Sequence, residues 1–318
     1  SMINGGEKKK RYSSFLLIAL VVPAAFIVLR ELLYPFVRTE EEVEKLSGRA
    51  YKVIAMVRRT HIETPVVVDK YPKSSIAEAF RIIRTHLSLY TPVDQPNFSL
   101  MISSTQSGDG KTYMSVNMAA VYAMTGKKTI LVDFDLRKPS VLATLSVPAN
   151  RGLVNYLLGQ ISLEDAIVHH PDYKFDILPV GVIPPNPAEL MASDKLKELI
   201  LNLKQDYTYV IYDTSPVGLV GDIYPITSMM DHILYSVSCE KTNKNLFKST
   251  IKQMTSRGIR NVSFVFNNVN LKKLEYSSYY QNNYGMFTGY AQNGYAGYIN
   301  AARQHQQGYY FDDAEMEE

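Results

Sequence analysis

The chain has 318 residues, 46% hydrophobic and 20% charged, an ordinary globular balance with room for one large α/β domain and appendages. A formal net charge of +3 is too small to indicate nucleic acid as a partner. The single cysteine, Cys239, excludes an intrachain disulfide and a Cys-based metal site.

Residues 1–11 read as a tag and a basic segment, with Lys8, Lys9, Lys10 and Arg11 in a row. From 12 to 29, YSSFLLIALVVPAAFIVL carries no charge over 18 residues. That length, with Tyr12 and Tyr34 at interfacial positions, predicts one transmembrane helix over 12–36. A mid-segment proline, Pro23, is tolerated in such helices. A signal peptide is the second reading, though no A-x-A cleavage pattern follows. A buried core helix is the third, and the charged flanks oppose it. Basic residues stand on both sides of the segment, so charge does not orient it.

Residues 37–73 read as a juxtamembrane helix and linker. Thr39 followed by three glutamates starts a helix that Gly48 ends. YKVIAMV (51–57) reads as a short strand, and the stretch 58–75 as connecting chain. Ser75 is the expected cap of a helix in which Ile76, Phe80, Ile83 and Leu87 form one apolar face. Glu78, Arg81 and Arg84 form another, either a solvated charge ladder or a subunit contact.

Six β-rich apolar runs follow, at 98–104, 128–133, 175–181, 208–213, 232–237 and 262–268, mostly separated by amphipathic helical patterns. Continuous apolar strands alternating with helices predict a three-layer α/β fold, a parallel sheet with helices on both faces. Ligands in such sheets bind at the carboxyl ends of the strands. Residues 74–271 are assigned to this domain.

The chemistry stands at those ends. SSTQSGDGKT (103–112) follows the first core strand and opens a helix, the context a phosphate-binding loop requires. Ser107, Gly108, Asp109, Gly110, Lys111, Thr112 and Tyr113 are the candidate phosphate-binding residues, and Lys111 would pair with the β- and γ-phosphates. The usual spacing asks for glycine where Thr105 stands. Asp133 and Asp135 end the next strand, and Asp213 ends another. With the Thr112 hydroxyl, Asp135 and Asp213 suit a Mg²⁺ site. Asn267 and Asn268 end the last strand; Asn267 is either a loop cap or, as the resemblance to P-loop ATPases described next implies, a reader of the adenine edge.

At these motifs the sequence resembles the bacterial tyrosine kinases that accompany capsule and exopolysaccharide export, whose P-loop fold is related to MinD-type ATPases. SGDGKT is similar to the family's Walker A motif, ILVDFDLRKP to Walker A′ and VIYDTSPVG to Walker B. EAFRIIR resembles the E-x-x-R-x-x-R helix that contacts neighbouring subunits, and GLVNYLLGQISLEDAI and PVGVIPPNPAELM resemble two further blocks. Gln106 takes the place of the MinD-type signature lysine. The resemblance implies an ATP- and Mg²⁺-dependent tyrosine autokinase with Lys111, Asp133, Asp135 and Asp213 as catalytic groups. Asp133 would accept a hydrogen bond from the attacking tyrosine. It also implies a ring-shaped homo-oligomer, with an octamer as the candidate size, held by Glu78, Arg81 and Arg84. Implied partners are the polysaccharide polymerisation and export machinery and a cognate tyrosine phosphatase. The implied location is the bacterial inner membrane, with the kinase domain and tail in the cytoplasm.

The last stretch, 272–318, is rich in Tyr, Gly, Asn and Gln and lacks an apolar period, so it predicts a disordered tail. Tyr276, Tyr279, Tyr280, Tyr284, Tyr290, Tyr295, Tyr298, Tyr309 and Tyr310 are the expected autophosphorylation sites, used in trans between subunits. Two rivals stand beside this reading: a membrane-tethered MinD-like ATPase without kinase activity, and a polysaccharide co-polymerase scaffold.

Overall fold

A computed structural model describes residues 12, 15–23, 25, 34–60, 62–91, 97–218 and 221–270. The tyrosine tail lies outside these residues, as do positions 13–14, 24 and 26–33 of the expected membrane span. Among the described residues no helix is long and apolar enough to cross a membrane.

One sheet of seven strands organises the chain. The strands are β1 (Lys52–Arg58), β2 (Phe98–Ser104), β3 (Thr129–Phe134), β4 (Asp176–Leu178), β5 (Tyr209–Thr214), β6 (His232–Ser238) and β7 (Val262–Val269). Their order is β1-β7-β6-β2-β5-β3-β4, and every pairing is parallel. All residues of β2, β3 and β6 are buried. This is why these runs are apolar without alternation: both sheet faces are covered. The run at 175–181 yields only a three-residue strand. The chain beyond it serves a helix instead, as Leu153 N and Val154 N donate to the carbonyls of Pro179 and Val180.

The helices, in chain order, are α1 (Glu40–Leu46), α2 (Val67–Lys70), α3 (Ser75–Ser88), α4 (Lys111–Ala123), α5 (Val141–Leu145), α6 (Leu153–Leu157), α7 (Leu163–Ala166), α8 (Pro187–Ala192), α9 (Asp194–Asp206), α10 (Tyr224–Thr227) and α11 (Lys244–Ser256). Two apolar cores result. One packs α1, α9 and α11 on one sheet face through Val43, Leu199, Ile200 and Phe247. The other packs α2, α3 and α4 on the opposite face through Val67, Phe80, Ile83 and Met118.

Local signals set several ends. Thr39 caps α1, its hydroxyl accepting from Glu42 N at 3.2 Å. The cap of α3 is Ser74 rather than Ser75, with Ala77 N donating to its hydroxyl at 3.1 Å. Two regions read as peripheral belong to the folded unit. β1 is the edge strand beside β7. Within 58–75, the α2 turn buries Val66, Val67 and Val68 and is held to α4 by Asn117, which donates to Pro65 O and accepts from Val68 N.

The buried His232 begins β6 far from the strand ends that carry the motifs. Its Nε2 lies 2.9 Å from Ser263 Oγ, and its ring stacks on Tyr90. Burial lowers its pKa from 6.5 to about 4. The unfolded chain therefore takes up this proton first, so the stability is fully present above pH 6.5 and is lost as pH falls toward 4. Between pH 7 and 4.5 the wild type should lose about 2 kcal/mol more unfolding free energy than His232→Gln, measured by urea denaturation. Equal losses would contradict this account.

Candidate functional site

The site forms where β2, β3 and β5 end side by side. Because β2 lies between β5 and β6, the loop 105–110 emerges at the centre of the sheet. Glycine is required at only two of its positions. Gly108 and Gly110 have φ of +88° and +89°, a left-handed backbone that L-residues with a Cβ rarely adopt. Thr105 has no such need, which explains why it stands where the usual spacing has glycine. Its hydroxyl lies 3.0 Å from the buried Tyr235 hydroxyl, fixing the floor of the loop.

Asp109 supports the loop from inside through its carboxylate. Its side chain is fully buried and points inward. Oδ1 accepts from the Thr242 hydroxyl at 3.0 Å and Oδ2 from Gln106 N at 3.1 Å. Burial raises its pKa to about 6 against these hydrogen bonds and the nearby Lys111 charge. With both oxygens engaged, the carboxylate shapes the loop. The Asp109 carbonyl accepts from Ser236 Oγ at 2.7 Å and Asn267 Nδ2 at 3.1 Å. Asn267 is thus a strut under the loop. A Cβ at Gly110 would come within 2.1 Å of its amide nitrogen. The Tyr113 ring turns toward α3 and packs on Phe80 at 6.0 Å, leaving only its backbone at the loop.

Lys111 and Thr112 open α4. Lys111 is 7% exposed and forms no salt bridge among the described residues. A buried ammonium is costly without an anion. Thr112 Oγ1 donates to Asp213 Oδ2 at 2.7 Å and lies 2.7 Å from Ser140 Oγ. Since Thr112 has one hydroxyl proton and gives it to Asp213, Ser140 must be the donor to Thr112.

The carboxylates are brought together by strand register, which pairs Asp133 directly with Asp213. Asp213, 1% exposed, accepts Ser115 Oγ on Oδ1 at 2.9 Å. Burial raises its pKa to about 6, while the Thr112 and Ser115 hydroxyls and Lys111 pull it down. Asp133 is pushed well above the usual carboxylate range, first by burial and then by Asp213. Its oxygens accept three backbone N–H groups, those of Asp135, Ser140 and Val141. In this arrangement Asp133 orders the loop after β3. Asp135 is 9% exposed, and its Oδ1 accepts from Ser215 Oγ at 2.8 Å and Lys138 N at 3.1 Å.

Glu78 and Arg81 form the ladder that their spacing allows, at 3.0 Å. Arg81 also donates to Pro72 O, and Arg84 donates to Val121 O at 2.8 Å near the end of α4.

Sequence reasoning missed Ser115, Ser140, Ser215 and Thr242. Ser115 lies one turn beyond Thr112 on the same helix face, a readable signal. Ser215 follows Asp213 by two residues. Ser140 and Thr242 carry no local mark, because they sit in the short turns after β3 and β6, far in sequence from the phosphate loop residues that they meet.

The donor set fits a nucleotide triphosphate with Mg²⁺: a left-handed glycine pair, a helix N-terminus, a buried lysine lacking a salt bridge, and a hydroxyl beside carboxylates. Among the described residues no three carboxylate, His or Cys groups form a metal cluster.

Comparison with known proteins agrees. The model of the AAA domain family matches residues 99–275. Tyrosine-protein kinase YwqD of Bacillus subtilis is 33% identical over 223 residues, 70% of this chain and 94% of that protein. The crystal structure of the chimerical protein CapA2B2 superposes with a TM-score of 0.66 at 32% identity, covering 73% of this chain and 99% of that one. The kinase domain of the Escherichia coli tyrosine kinase ETK gives a TM-score of 0.66 at 26% identity, covering 73% and 95%.

Ser115→Ala would leave a buried oxygen of Asp213 without its hydroxyl. We expect an intact fold and a roughly tenfold loss of kcat/KM for MgATP in steady-state assays. An unchanged value would mean that Ser115 does not support the carboxylate.

Proposed function

The chain belongs to the bacterial protein-tyrosine kinases, and from that premise we propose that it is an autokinase which uses ATP and Mg²⁺ to phosphorylate its own C-terminal tyrosines in trans. The observation that carries this reading is Lys111, a buried ammonium without a salt bridge among the described residues, beside the hydroxyl–carboxylate pair of Thr112 and Asp213.

Phosphoryl transfer depends mainly on positioning and charge neutralisation. Lys111 and the N–H groups of the loop would hold the phosphates. Thr112, Asp213 and Asp135 would hold Mg²⁺ and its waters. Asp133 and Asp213 would both be favoured in their ionised forms by the charge that a bound Mg²⁺ would supply. An incoming phenol, whose free pKa is about 10, needs only an oriented carboxylate. Asp135, 9% exposed against 1% for Asp133, would take this role in place of Asp133, whose oxygens already accept three backbone N–H groups.

The nine tyrosines from Tyr276 to Tyr310 follow β7 on a polar stretch long enough to reach a neighbour. Each phosphate adds about −1.5 to −2 charges. Several phosphates would repel one another and loosen a ring in which Glu78, Arg81 and Arg84 exchange their internal partners for those of an adjacent subunit. The apolar run at 12–29 supports an anchor in the inner membrane. The matched relatives support a place beside the machinery of capsule and exopolysaccharide synthesis; a tyrosine phosphatase would reset the tail.

Incubation with ATP and Mg²⁺, followed by phosphotyrosine mapping, tests the reading. We expect several modified tyrosines between 276 and 310, and none in Lys111→Met. Mixing Lys111→Met with a wild-type chain should restore phosphate to the variant's tail if transfer runs between subunits. ATP hydrolysis with an unmodified tail would instead favour a MinD-like ATPase.

A further inference from the structure

The carboxylates of the site differ in how their oxygens are used. Both oxygens of Asp133 accept backbone N–H groups, and both oxygens of Asp213 accept side-chain hydroxyls. Asp135, which directly follows β3, is held on one side only. Its Oδ1 accepts from Ser215 Oγ at 2.8 Å and from Lys138 N at 3.1 Å. Its Oδ2 alone among these oxygens has no hydrogen-bond partner within the described residues.

Ser215 is a donor with little freedom of its own. It directly follows β5, the strand that lies between β2 and β3, and it is buried. Its carbonyl accepts from Ser103 Oγ of β2 at 3.1 Å and from Thr214 Oγ1 at 3.3 Å. Thr214 Oγ1 also donates to Ile102 O at 2.8 Å, and Ser103 Oγ accepts from Val217 N at 3.3 Å. The backbone on both sides of Ser215 is thus pinned to β2, while its hydroxyl crosses to the end of β3.

We propose that Ser215 is a positioning residue that holds Asp135 by Oδ1, so that Oδ2 is the oxygen offered to the incoming tyrosine. The proposal rests on the autokinase reading above. In the transfer, the tyrosine oxygen bonds to the γ-phosphorus and the bond from that phosphorus to the β–γ bridging oxygen breaks. ADP leaves, and the phenolic proton passes to Oδ2. The χ2 torsion of aspartate is broad and nearly two-fold. With Lys138 N as the only donor, the carboxylate could turn and exchange its oxygens. A second donor, fixed by another strand, removes that freedom. A role limited to satisfying a buried hydroxyl would cost stability and leave the rate untouched.

The test uses the full chain. It reads the rate of tyrosine phosphorylation at saturating ATP, the KM for ATP, and the affinity for MgADP by calorimetry. Ser215→Ala should slow phosphorylation about tenfold, because the reacting carboxylate loses its orientation. The KM and the MgADP affinity should stay within about twofold, since Thr112 and Asp213 keep their own hydrogen bonds. Ser215→Thr retains the hydroxyl and should restore most of the rate. In an Asp135→Asn background, Ser215→Ala should slow the reaction no further. If Ser215→Ala fails to fold by circular dichroism, Ser215→Cys, a weaker donor of similar size, should still lower the rate. A wild-type rate in whichever of these two variants folds would overturn the proposal. So would a parallel loss of MgADP affinity, or an additive loss in the Asp135→Asn background. A wild-type chain that binds MgADP yet leaves every tyrosine unmodified would remove the autokinase reading, and this proposal with it.

Discussion

The site depends on one buried carboxylate. Asp213 ends β5 almost without access to water, and it is tolerable there because Thr112 and Ser115 donate to both of its oxygens and Lys111 stands nearby. Removing either hydroxyl would leave a buried acceptor short of a partner, which costs more than an average hydrogen bond contributes. The contact also fixes α4 against β5, and so fixes the direction in which the helix N-terminus faces. The loop, the lysine and the carboxylates of β3 are all positioned relative to that pairing.

The loop departs from the commonest phosphate-loop sequence without losing its physical requirements. A backbone that closes around phosphate needs residues free of Cβ penalties where φ is positive, and Gly108 and Gly110 meet that need. Elsewhere the loop needs anchors. Thr105 is anchored to Tyr235, Asp109 to Thr242, and the Asp109 carbonyl to Asn267. The Asp109 carboxylate is thus one of the loop's internal anchors.

The same economy appears at the domain's edges. The segment before α3 is polar enough to read as a connector, yet Val66, Val67 and Val68 are buried against α4, with Asn117 satisfying the backbone they bring in. Short apolar runs flanked by proline give no periodic signal, so their burial is decided by the surface they meet. Residues 35–37 are similar, because their pairing partner is some two hundred residues away in sequence.

The sequence by itself determined the α/β class, the positions of most strands, the phosphate loop and its three carboxylates. Those features are local: apolar runs, helix caps, and glycine and aspartate at strand ends. Only the tertiary structure decided that β2 lies between β5 and β6, that Asp133 and Asp213 share a register, and that Asp109 and Asn267 turn inward as supports. It also recruited Ser140 and Thr242 from distant loops. Strand order and side-chain direction arise from which faces must be covered and which buried polar groups must be satisfied. Those demands are met across long sequence separations, and a linear pattern does not carry them.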